Sequence, residues 1–243
     1  MTKLPLPNNP AGLVTVNTGV LSKAEAVLLV DKGCRYIFST ELGKVDPVVK
    51  MTHAALLQGA VPLFPWENGE KEEMTLGGSR ERQAISEAVV ARCKLERKRF
   101  LREKVQSVLE ELMTNVLFHA YRNADGKEKY ARRQEAVLAS RELIAIRFSS
   151  TAQGIYLSVK DQAGSLKFEE MARALSRCYS GHSQIENKES GAGLGTYMIF
   201  DAVTHLKVVS APGQSTEIAC WIADQRSFDN QHFSFSFFER STK

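Results

Sequence analysis

The sequence predicts an α+β protein, and three features carry that prediction. One helix of strong 3.6-residue period occupies roughly residues 100–121, where Val105, Val108, Leu109, Leu112, Met113, Val116 and Leu117 form a single apolar stripe. Downstream come two pairs of short strands, 143–148 with 155–160 and 206–210 with 216–222, each pair joined by a turn. The third feature is a glycine-rich turn, Gly191-Ala192-Gly193-Leu194-Gly195-Thr196, which opens an apolar helix. It follows a polar loop instead of a strand, so the order of elements is not that of a βαβ dinucleotide-binding unit. No Gly-Lys-Ser/Thr is present, which removes a Walker A reading as well.

The remaining elements follow in chain order. Residues 1–12, with Pro5, Pro7 and Pro10, read as a loose lead-in. Apolar runs at 13–16, 26–30 and 36–38 follow, and Asp31-Lys32-Gly33 between the last two predicts a β-hairpin. Asp46-Pro47 starts a short helix that contains His53 and ends at Gly59. The apolar segment 61–66 is broken by two prolines and is expected to be irregular; the charged run 67–73 marks a boundary. Residues 74–76 form a short strand, and Ser79 is expected to N-cap a helix over 80–93. Residues 122–140 are a polar insertion, 168–176 a helix, and 179–190 a polar loop without apolar period. The tail alternates Phe233, Phe235 and Phe237, as an extra strand or a docking segment would. The expected organisation is an N-terminal extension over 1–70, a main domain over 71–224 and a tail over 225–243.

Composition restricts the function. Of 243 residues, 43% are hydrophobic and 25% charged, the balance of an ordinary globular chain. The net charge of +4 is spread among acidic residues, which argues against a dedicated nucleic-acid binder; the basic run 92–104 reads as a solvated face. The four cysteines are far apart, which argues against zinc and a disulfide framework and for a reducing compartment. No apolar run reaches the ~18 residues of a membrane span. The expectation is a cytoplasmic protein that lacks a signal peptide.

Within the main helix, Glu111, Asn115 and His119 recur every fourth residue and share one face, so they can reach one ligand. The glycine turn 191–195 can present backbone N–H groups and a helix dipole to an anion. Between them, the strand 155–160 runs directly into Asp161 and Gly164.

A helix with Glu-x-x-x-Asn, a strand ending in Asp near a glycine, and a loop ending in GxGLG before a helix together resemble the histidine-kinase-like (GHKL) ATPase superfamily. The resemblance covers roughly 74–223 and implies a Bergerat-type two-layer α/β sandwich, with a mixed, largely antiparallel sheet and helices on one face. The run Glu111, Asn115, His119, Ala120, Tyr121 is most similar to that of anti-sigma-factor serine/threonine kinases.

The resemblance implies ATP and Mg2+ as ligands. Asn115 would hold the magnesium, Glu111 would act as the base, and Asp161 would accept from the adenine amino group. Gly164 would let the chain pass over the base, and Thr216 would support Asp161. Gly191, Gly193, Leu194, Gly195 and Thr196 would form the phosphate side, with His119 close to the nucleotide. The implied partners are a sigma factor or an antagonist phosphoacceptor, with a homodimer compatible and no direct nucleic-acid or membrane contact. One departure stands out: the usual Asp-x-Gly-x-Gly is Asp161-Gln162-Ala163-Gly164-Ser165 here. A non-catalytic ATP-binding module is therefore the main alternative. The catalytic part of a histidine kinase ranks lower, because His53 lacks the usual acidic neighbour.

Overall fold

The computed structural model describes residues 2–4, 14–17, 21–39, 47–58, 60–62, 70–132, 134–179, 194–224 and 233–240. Among them, nine strands form one sheet: β1 (Thr2–Leu4), β2 (Val14–Asn17), β3 (Tyr36–Ser39), β4 (Glu72–Leu76), β5 (Ile144–Ser150), β6 (Gly154–Asp161), β7 (His205–Ala211), β8 (Ser215–Ala223) and β9 (Phe233–Glu239). Their order across the sheet is β1-β2-β3-β9-β7-β8-β6-β5-β4. Only β2–β3 and β7–β9 pair in parallel, so the sheet is mixed and largely antiparallel as expected.

One face of the sheet carries the main core. Period-two alternation sends Ile144, Ile146 and Phe148 of β5, Ile155, Leu157 and Val159 of β6, and Phe233, Phe235 and Phe237 of β9 to the same side. The helices α1 (Lys23–Asp31), α3 (Arg82–Arg92), α4 (Arg99–Asn115), α5 (Phe168–Tyr179) and α6 (Leu194–Ala202) contribute to or pack over that core. The predicted stripe of α4 lies in it throughout: Val105, Leu109, Leu112 and Met113 are completely buried, each stabilising the fold by ~1.5–3 kcal/mol relative to exposure. A shorter helix, α2 (Pro47–Leu57), serves the opposite face, where Val48 joins Tyr36, Phe38, Val209 and Phe238. No helix among the described residues is long and apolar enough to cross a membrane.

Several expectations are corrected. The run 26–30 is helical, so no hairpin joins it to 36–38. Ser22 and Glu25 close a capping box at the start of α1, Gly33 ends it at φ 89°, and β3 then pairs with β2 in parallel. Thr2–Leu4 is not loose lead-in but pairs with β2. Ser79 does not cap a helix; it begins a single 3-10 turn, and its Oγ accepts from Ala136 N at 3.0 Å, so α3 starts at Arg82. The basic run is split by Lys94 at φ 54°, which separates α3 from α4. The segment 63–66, the charged residues 67–69 and the loop 180–190 lie outside the described residues, as do Gly191 and Gly193.

Candidate nucleotide site

The site begins where α4 ends. After Asn115 the helix widens into a π turn, Val116–Ala120, and the chain leaves it in extended conformation at Tyr121. Tyr121 Oη donates to Glu142 O at 2.7 Å and accepts from Gln162 N at 3.3 Å, tying the helix end to the end of β6. Burial pushes the Tyr121 hydroxyl up to about 12, with the Asp161 and Glu142 charges acting in the same sense, so it stays protonated and donates.

Asp161 closes β6 and is 3% exposed. Its Oδ1 accepts three backbone N–H groups: Ala163 at 2.8 Å, Gly164 at 3.0 Å and Thr216 at 3.2 Å. Burial raises its pKa above the ordinary carboxylate range, and these donors oppose the rise. The buried Thr216 hydroxyl lies beside the same carboxyl and has no well-formed hydrogen bond among the described residues. An orphaned buried hydroxyl next to a carboxylate is a place a polar ligand would complete.

Gly164 explains how the turn closes despite its altered pattern. It adopts φ 61°, and a β-carbon there would overlap Ala211 O and lie 2.8 Å from both Gln214 N and Ser215 N. The position accepts only glycine, because the turns 161–165 and 211–215 touch through it.

A cavity of about 240 Å³ joins these parts. Asn115, His119, Asp161, Thr196 and Thr216 all line it, and Leu166, Met171, Ile199 and Ile218 supply apolar wall. Glu111 and Gly195 are not among its lining residues but meet next to Asn115: a β-carbon on Gly195 would overlap the Glu111 carboxylate and lie 3.7 Å from Asn115 Nδ2. Leu194 begins α6, with its side chain outside the described residues. The donor set suits a hard cation only in part. Asn115, one turn after Glu111, has an amide oxygen to offer, and the described residues contain no cluster of three or more His, Cys, Asp or Glu able to hold a metal alone. Magnesium fits such a place when phosphates and waters supply the other ligands.

Three contributions escape sequence reasoning. Arg122 and Glu128, from the insertion, form part of the cavity wall. His119 is engaged at both ring nitrogens, Nδ1 with Glu128 Oε1 at 2.5 Å and Nε2 with Arg132 at 2.7 Å. Lys23 of α1 donates to the carbonyls of Phe200, Asp201 and Val203 at 2.6, 2.6 and 2.8 Å, capping α6 at the end opposite Gly195. Burial lowers the Lys23 pKa to about 7, while Asp201 acts against that shift. The S-x-x-E box at Ser22 signals the helix that carries Lys23; nothing in the sequence signals its partners nearly 180 residues away.

A mixed sheet whose main core face is covered by helices, with a strand-end carboxylate and an amide-bearing helix lining one cavity, is consistent with an ATP-binding fold. Residues 79–221 match the family model of the histidine kinase-like ATPase domain. That is more than half of the chain, and the protein belongs to this family. No curated protein matches it.

Proposed function

We propose that the protein binds ATP with Mg2+ and transfers the γ-phosphoryl group to a serine or threonine of a partner protein, controlling that partner by switching. The observation that carries this reading is the placement of Glu111: its carboxylate meets the first turn of α6 and stands one helical turn before Asn115. Asp161 would take the adenine amino group, and Asn115 the magnesium end of the triphosphate. Magnesium would supply charge neutralisation between the phosphates. The partner hydroxyl oxygen forms a bond to Pγ, the bond from Pγ to the bridging oxygen breaks, ADP leaves, and Glu111 accepts the hydroxyl proton. The resemblance of Glu111, Asn115, His119, Ala120 and Tyr121 to anti-sigma-factor kinases makes a sigma factor or its antagonist the first partner to try.

The test is transfer of labelled γ-phosphate from ATP to a candidate antagonist protein. Glu111→Gln should abolish transfer while ATP binding persists. Equal transfer by the variant removes Glu111 from its role. A second reading, binding without transfer, is favoured by Ser165 and the shifted glycine at 164. It predicts ATP binding with no turnover in the presence of any partner.

A further inference from the structure

Glu128 sits on a short hairpin whose backbone is fixed by the Arg122–Glu128 bridge, by Asn123 N donating to Lys127 O at 2.8 Å and by Lys129 N donating to Tyr121 O at 2.9 Å. Glu128 is one of the residues that line the cavity, and its Oε1 accepts from His119. The direction of that bond follows from Arg132. A guanidinium can only donate, so His119 Nε2 is the acceptor and Nδ1 carries the hydrogen given to Glu128. Arg132, His119 and Glu128 thus form an oriented relay, and Glu128 Oε2 has no hydrogen bond among the described residues.

The position along the cavity restricts what Oε2 can serve. His119 lies in the π turn that follows Asn115, on the way to Tyr121, and Tyr121 is bonded to the residue after Asp161. In the proposed reading, Glu128, held by His119, falls between Asn115 at the phosphate end and Asp161 at the base end. A carboxylate accepts hydrogen bonds and repels phosphate, and in the proposed reading the adenine amino group already belongs to Asp161. The remaining donors on a nucleotide are the sugar hydroxyls.

We propose that Glu128, positioned by His119 and Arg132, binds the ribose hydroxyls of the nucleotide and makes the site selective for ribo- over deoxyribonucleotides. This rests on the ATP reading above and assigns the insertion 122–140 a role in specificity.

The test is calorimetric titration of the intact chain with ATP, 2′-deoxy-ATP and 3′-deoxy-ATP in magnesium. The wild type should prefer ATP over at least one deoxy analogue by about tenfold, the size of one hydrogen bond to a charged group. Glu128→Ala should bind all three with the affinity of the weaker analogue. His119→Phe should lose the preference, and His119→Asn, whose amide can still donate to Glu128, should restore part of it. Melting curves establish that each variant is folded. Equal affinity of the wild type for all three overturns the sugar contact and leaves the ATP reading standing. A preference retained in Glu128→Ala overturns it too, as does a variant that alters only the choice between ATP and GTP. No binding of ATP by the wild type overturns both readings together.

Discussion

Gly195, in the first turn of α6, lies against Glu111 of α4 so closely that a β-carbon would overlap the Glu111 carboxylate and come within 3.7 Å of Asn115 Nδ2. The obstructing atom is the tip of a flexible side chain, not backbone. An alanine is therefore accommodated by turning Glu111 aside, and the fold gains ~0.5–1 kcal/mol of helix propensity. If Glu111 is the general base proposed above, Gly195→Ala is expected to leave the melting temperature unchanged or raised while lowering phosphoryl transfer ~100-fold or more. Unimpaired transfer, measured with labelled ATP, would separate Gly195 from the chemistry.

Gly164 presents the opposite case. Its φ of 61° and the backbone on three sides leave nothing that can yield. Gly164→Ala should cost about 3 kcal/mol or more in denaturant unfolding. A loss under about 1 kcal/mol would contradict the close approach of the two turns.

In the proposed ATP reading, Asp161 exchanges stability for binding. Its folded pKa is raised by burial, so the charged carboxylate is less favourable inside than in the unfolded chain. In the interval between the two values the folded state holds more protons, and stability falls as pH rises through it. Asp161→Asn removes that charge but keeps an oxygen for the backbone donors. Thermal stability at pH 7 should hold or increase, while ATP affinity falls ~30-fold or more, the loss of a charge-assisted hydrogen bond. Thermal melts and calorimetry on one preparation read both effects.

Glu142 fastens the insertion. Burial works against its charge, but Lys129 Nζ at 2.6 and 2.8 Å, Tyr130 Oη at 2.6 Å and Ala139 N at 3.3 Å bring its pKa below the ordinary value. A lowered folded pKa means stability present above the unfolded value of 4.5 and lost as pH falls through the folded one. Glu142→Gln should flatten that acid limb in urea titrations between pH 5 and pH 3. An unaltered limb would show that another carboxylate controls it.

The degree to which these features could be read in advance depends on how local their signals are. The α4 stripe is legible because large apolar residues repeat at the helical period over four turns. The phenylalanines of β9 are partly legible: alternation suits a strand or a docking segment, and only pairing with β3 and β7 decides for the strand. The misread hairpin at 26–38 shows where a short apolar run is ambiguous: Ser22 and Glu25 hold the helix signal, outside the run itself. Asp161 and Asn115 stand out through motif resemblance. Lys23 and Glu128 do not, because their roles arise from contacts made by the folded chain rather than from a local repeat.

The most direct measurement is a calorimetric titration of the intact chain with ATP, in magnesium and in EDTA, beside Asn115→Ala. The account predicts one ATP per chain, affinity raised about tenfold or more by magnesium, and loss of that enhancement in the variant. Absence of ATP binding, or equal magnesium dependence in the variant, would contradict it.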